Sequence, residues 1–198
     1  MLCSLGRRDA QDELVSVAQT ARLAFISTFI SMIKLRLSKR APNDPQHSER
    51  EMPHNDDPLA RFLNAQAIHY EQALSELRQG RKDTHWSWFI LPQLKALARS
   101  PRSAHYGIAD LDEARLYAEH PTLGPRLEAC FQAILTHPHQ EIEVILGEGD
   151  ARKLRSCATL FSHSALKNQA LRDSALELIS VFYAGQPCAR SQELLASA

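Results

Sequence analysis

"DPLARFLNAQAIHYEQALSELRQG", residues 57–80, reads as one amphipathic helix with both ends marked. Asp57 is an N-cap residue, and Pro58 suits the first helical position, where the N–H that proline lacks would have no helical partner anyway. Leu59, Phe62, Leu63, Tyr70, Ala73, Leu74 and Leu77 recur at helical spacing and define one apolar face. Gly80 supplies the stop, since glycine takes the left-handed conformation that ends many helices.

The same period continues toward the C-terminus. Asp110 with Glu113 is a capping-box-like opening for a helix over 111–119, closed by His120-Pro121. Gly124-Pro125 lies at the start of the next helix, whose stripe is Leu123, Leu127, Phe131, Ile134 and Leu135 and whose end is His137-Pro138. Asp150 is expected to cap a helix running to about Ser164. Another is expected from about Lys167 to Ala184, with Leu171, Ala175, Leu178 and Phe182 inward and Gly185 as terminator. "SAHYGI", 103–108, reads as a loop with His105 and Tyr106 facing a cleft. No run alternates with period two and no hairpin dipeptide or internal repeat is found. The expected fold is all-α: a compact single-domain bundle of about six to eight helices over 57–198.

Residues 1–56 are expected to be an N-terminal extension and linker. Residues 1–51 carry eight Lys/Arg and six Asp/Glu, against a net balance of −2 for the remainder. The charge-free run from Leu23 to Ile33 is 11 residues, short of the roughly 20 that span a bilayer. Asp9, Asp12 and Glu13 precede it, which is wrong for a signal peptide. Three readings stay open: a membrane-surface helix flanked by Arg22, Lys34 and Arg36, a dispensable extension, or an over-long gene model with translation beginning at Met52. Stable membrane insertion is not expected.

Lys+Arg and Asp+Glu are both 23, so the formal net charge is zero and there is no basic excess to argue for nucleic acid as a partner. Cys3, Cys130, Cys157 and Cys188 form no CxxC pair. With Cys130 and Cys157 among apolar neighbours, the pattern is that of reduced thiols in a cytoplasmic protein rather than a disulfide frame. No HExxH, GxSxG or zinc spacing is present, and "HPH" at 137–139 lacks the spacing that puts two imidazoles on one helical face. No metal or bound cofactor is expected.

Two places carry candidate chemistry. On a helix over 150–164, Leu154, Cys157, Ala158 and Phe161 share one side, while Arg152, Lys153, Ser156, Thr159 and His163 share the other. Two cations and two hydroxyls on one face suit a phosphate or carboxylate, although such faces commonly meet only water. In "RKDTHWSWFILPQ", 81–93, a helical 84–91 is apolar all round and so is expected to be buried, with at least one of Trp86 and Trp88 in the core. Indole rings also make stacking walls for planar ligands. His85 and Gln93 bracket the pair, and His85 is the candidate general base.

"ARFLNAQAIHYEQALSELRQGRKDTHWSWFILPQ", "YGIADLDEARLYAEHPTLGPRL" and "KLRSCATLF", in this order, resemble the uncharacterised bacterial family catalogued as domain of unknown function 1810, sometimes labelled calpastatin. The likeness covers about 57–195 and implies a small all-α cytosolic domain without an assigned activity. It also implies a start just before the first motif, in agreement with Met52. The chain departs from the usual pattern at Ser87, Leu91, Ala96, Ala98 and Ala158, mostly packing positions.

Two functions of different class follow. In the first, Trp86 and Trp88 form an aromatic wall, Arg152 and Lys153 neutralise a small anionic or nucleotide-like ligand, and His85, Gln93, Ser156 and Thr159 orient it. Hydrolysis or glycosidic cleavage is its enzymatic version. In the second, the domain is a non-enzymatic protein–protein interaction module. A concave pocket lined by His85, Trp88 and Lys153 marks the first, and a flat exposed apolar patch marks the second. The oligomeric state is not legible.

Overall fold

The computed structural model describes residues 57–197, so the expectations for the 1–56 extension lie outside the described residues. Among the described residues the fold is all-α. Its helices are α1 Ala60–Arg78, α2 Ser87–Ile90, α3 Pro101–His105, α4 Leu111–Glu119, α5 Leu123–Leu135, α6 Ile142–Leu146, α7 Glu148–Ser164, α8 Gln169–Tyr183 and α9 Ala189–Ala196. Six of the nine have eight residues or more, and three are single short turns. A 3₁₀ turn at Lys95–Leu97 and an isolated parallel bridge between Leu94 and Ile108 tie the 91–108 segment together.

The centre of the bundle is α7. It packs on α8, α4, α6 and α9, and ten of its seventeen residues are buried, which a two-sided amphipathic helix does not show. α5 lies across α8, α1 and α4. The rings of Phe62 (α1), Tyr117 (α4) and Phe161 (α7) join the three helices: Phe62 meets Tyr117 edge-on at 5.1 Å, and Tyr117 meets Phe161 at 5.3 Å. Gln66, also buried, donates from Nε2 to the Phe89 carbonyl at 2.8 Å and to Tyr117 Oη at 3.0 Å, so its amide N–H groups fasten α2 to α1 while its Oε1 has no partner among the described residues. Cys130 and Cys157 are wholly buried, and burial pushes both thiols up.

Several helix boundaries differ from the sequence expectation for local reasons. Asp57 stands one turn early: its carboxylate accepts the Leu59 N–H at 2.8 Å and its carbonyl the Ala60 N–H at 3.0 Å. Asp150 is not a cap. The helix starts at Glu148 because Gly147 takes φ +79°, and Asp150 falls in the first turn, where its carboxylate is free for side-chain partners. Residues 103–105 belong to α3, whose N-cap Ser100 exchanges hydrogen bonds with Ser103. His105 is exposed, while Tyr106 packs on Phe89 at 5.3 Å instead of facing a cleft. Phe182 is only half-buried. At the α4–α5 junction Gly124 is required by close approach, since a Cβ there would lie 2.2 Å from the Ala118 carbonyl oxygen.

Candidate functional site

Trp86 and Trp88 point to different places. The helix in this region is only the single turn 87–90, with Trp86 as its N-cap, so the expected all-round burial over 84–91 fails at Trp88. Trp86 is 1% exposed and donates its indole N–H to Glu76 Oε2 at 2.7 Å. The same carboxylate accepts the Asp83 and Thr84 amides and the Thr84 hydroxyl. Burial works against its charge, but these hydrogen bonds outweigh it and hold the Glu76 carboxyl down at about 2. Trp86 is therefore a core residue whose polar edge is fully satisfied.

Trp88 is half-buried and lines a cleft of about 560 Å³. One wall comes from the 88–103 segment, with Gln93, Leu97, Arg99, Ser100 and Ser103. The other comes from the first turns of α7, with Arg152, Lys153, Arg155 and Ser156, and from Cys188 and Arg190 at the start of α9. Among the described residues five cations line the cleft and no carboxylate does. Lys153 Nζ and Arg102 Cζ stand 4.8 Å and 5.1 Å from the Trp88 ring centroid, within cation–π range.

The cations are not equally free. Lys153 Nζ lies 2.6 Å from Asp150 Oδ1 and 3.0 Å from Ser87 Oγ, while Lys82 Nζ takes Asp150 Oδ2 at 2.9 Å. Burial works against the Asp150 charge, but Lys153, Lys82 and Ser87 hold its carboxyl below the usual carboxylate range. Arg152 pairs with Glu148 and Arg190 with Glu193, both at the exposed rim. Among the described residues Arg99 and Arg155 have no carboxylate partner. Arg155 spends only its Nε, on the Gln186 carbonyl at 2.8 Å.

The polar face of α7 is covered at Ser156 and Thr159, while Arg152 and His163 on the same face stay exposed. Residues 183–188 run along it and are fastened once per turn: Tyr183 Oη donates to the Ala151 carbonyl at 2.7 Å, Arg155 to Gln186, and the Cys188 amide to Thr159 Oγ1 at 2.8 Å. Thr159 is thus wholly buried and does not reach the cleft; it positions Cys188. Ser156 Oγ lies 3.1 Å from the Arg152 carbonyl and 3.3 Å from Cys188 Sγ, and its single hydrogen serves one or the other.

Of the residues singled out from sequence, Trp88, Gln93, Arg152, Lys153 and Ser156 meet around one cleft; Trp86 and Thr159 lie behind its walls. His85 is exposed, with its ring 6.4 Å from that of Trp88, and does not line the cleft. Arg99, Arg155, Arg190 and Cys188 were not anticipated. Cys188 did carry a signal, a cysteine just after a proline with an arginine two residues on. Among the described residues no group of three or more His, Cys, Asp or Glu is placed to hold a metal ion, and no helix is long and apolar enough to cross a membrane.

Fold and cleft together define a small all-α domain with a cationic pocket walled by tryptophan. The model of the family described as "Protein of unknown function (DUF1810)" matches residues 56–195, and the chain belongs to that family. It is similar to the crystal structure of the conserved hypothetical protein Rv1873 from Mycobacterium tuberculosis, with 40% identity and a TM-score of 0.66 over 70% of this chain and 96% of that one. No curated protein matches the chain.

Proposed function

We propose that the cleft binds a small anionic molecule bearing a planar group, of the nucleotide type. The observation that carries this reading is the lining of five cations, with no carboxylate among the described lining residues and two of the cations without a carboxylate partner among the described residues. Guanidinium groups bind phosphate and carboxylate through paired N–H donors, so Arg99 and Arg155 are the charge-bearing contacts. The half-buried Trp88 face supplies the stacking wall, and Gln93, Ser100 and Ser156 the polar contacts. A volume of about 560 Å³ is of drug-like size. Among the described residues no carboxylate or imidazole lines the cleft to act as general base, so binding is favoured over the hydrolytic version. The concave, charged wall also favours a small ligand over a partner-protein docking face.

Titrating mononucleotides and their parent nucleosides into the protein, with Trp88 fluorescence or calorimetry as readout, tests the reading. Nucleotides are expected to bind and nucleosides to bind at least tenfold more weakly, the worth of one charge-assisted hydrogen bond. Equal affinities, or binding unaffected in Arg99→Ala, would overturn it.

A further inference from the structure

Cys188 is set apart from the other described thiols. Cys130 and Cys157 are sealed in the core, whereas Cys188 is half-buried and lines the cleft. It is the N-cap of α9, so the amides of the first turn of that helix point toward it. Its own amide is pinned by Thr159, which fixes the sulfur's position. Ser156 Oγ reaches the sulfur at 3.3 Å. The Ser191 hydroxyl is wholly buried and meets no hydrogen-bond partner at normal geometry. Burial works against ionisation of this thiol, but the Ser156 and Ser191 hydroxyls and the Ser191 and Arg190 amides outweigh it and hold it below its ordinary value.

We propose that Cys188 is a nucleophilic thiolate of the cleft that takes up anionic disulfides by thiol–disulfide exchange. Its selectivity for anions rests on the reading of the cleft given above. The thiolate attacks one sulfur of the disulfide, the S–S bond breaks, a Cys188 mixed disulfide forms, and the other half leaves as a thiolate carrying the charge. The disulfide is the oxidant and nothing further is consumed. The chemistry of the lining selects this reaction over phosphoester cleavage. An alkoxide leaving group needs a proton, and among the described residues the cleft lining holds no carboxylic acid or imidazole to give one; a departing thiolate needs none. The guanidinium groups of Arg99 and Arg155 attract an anionic disulfide and give no such attraction to a neutral one.

The test uses the full chain with Cys3→Ser and two aromatic disulfides, dianionic dithiobis(nitrobenzoate) and neutral dithiodipyridine. Each rate is divided by that of free cysteine with the same reagent, and the modified residue is located by peptide mass. The dianionic reagent is expected to label Cys188 at least about tenfold faster than the neutral one on this scale. Arg99→Ala, at an exposed position, is expected to reduce that preference. An unlabelled Cys188, or equal normalised rates, overturns the proposal. Nucleotide titration of the same protein separates the two readings: nucleotide binding beside an inert Cys188 sinks the thiol chemistry alone, and failure of both sinks the anion cleft as well.

Discussion

Thr159 Oγ1 accepts the Cys188 amide N–H at 2.8 Å, and Thr159 donates its own hydroxyl hydrogen to the Arg155 carbonyl at the same distance. One buried hydroxyl thereby joins the central helix to the start of α9 and holds a cleft residue in place. Thr159→Val keeps the shape and leaves the Cys188 N–H without its acceptor. It is expected to cost about 1–3 kcal/mol in urea unfolding, with Thr159→Ser close to wild type. Equal stability of Thr159→Val and wild type would show that the amide finds water instead.

The two tryptophans are expected to separate cleanly. Trp86→Ala empties a core site and strands the Glu76 carboxylate, at a cost of about 3–5 kcal/mol. Trp88→Ala removes a half-buried wall. It is expected to cost under about 1.5 kcal/mol and to weaken nucleotide binding. Unfolding curves and titrations on both variants check this, and comparable destabilisation by the two would place Trp88 in the scaffold.

Glu76 makes stability depend on acid. Its folded pKa is about 2 against an ordinary 4.5, so its contribution is fully present above about pH 4.5 and is lost as pH falls through about 2. At about 1.4 kcal/mol per pH unit the gap is worth about 3 kcal/mol. Urea midpoints measured down this range in wild type and Glu76→Gln are expected to converge at low pH. A constant difference between them would assign the pH dependence to other carboxylates.

Asp150 competes with any ligand for Lys153. Asp150→Asn is expected to lower stability by about 1–3 kcal/mol, because Lys82 and Lys153 lose a hydrogen-bonded counter-charge. It is also expected to strengthen anion binding, since Lys153 is then free to turn to the cleft. Loss of stability with unchanged affinity would leave Lys153 a structural residue, and Lys153→Ala would then bind nucleotide as wild type does.

The helical class, the ends of α4, α5 and α8, the C-terminal end of α1, and the core identity of Phe62, Leu77, Phe131 and Leu171 were legible because each is a local matter of caps, glycine and proline punctuation, and 3.6-residue periodicity. Residue pairs whose fate rests on distant chain were not. Trp86 and Trp88 are equivalent in composition, and only the carboxylate ten residues upstream and the cleft across from α7 tell them apart. The polar stripe of α7 was read correctly as a stripe. Its exposure was not, since helix periodicity carries no information about what lies opposite a face.

By itself, the sequence determined that 57–198 would fold as an amphipathic helical bundle and that Lys153, Ser156 and Thr159 would share one side of a helix. Tertiary structure decided what that side meets. The return of the chain through 183–188, fastened to Ala151, Arg155 and Thr159, buries the hydroxyl of Thr159 and sets Cys188 at the rim of a helix N-terminus. The packing of Asp150 between two lysines takes Lys153 largely out of play and leaves Arg99 and Arg155 as the lining cations without a carboxylate partner among the described residues. The physical reason is the range of the interactions: backbone propensity acts within a few residues, whereas burial and ion pairing depend on neighbours as far as 68 positions away, as between Lys82 and Asp150 (68) or Ser87 and Lys153 (66).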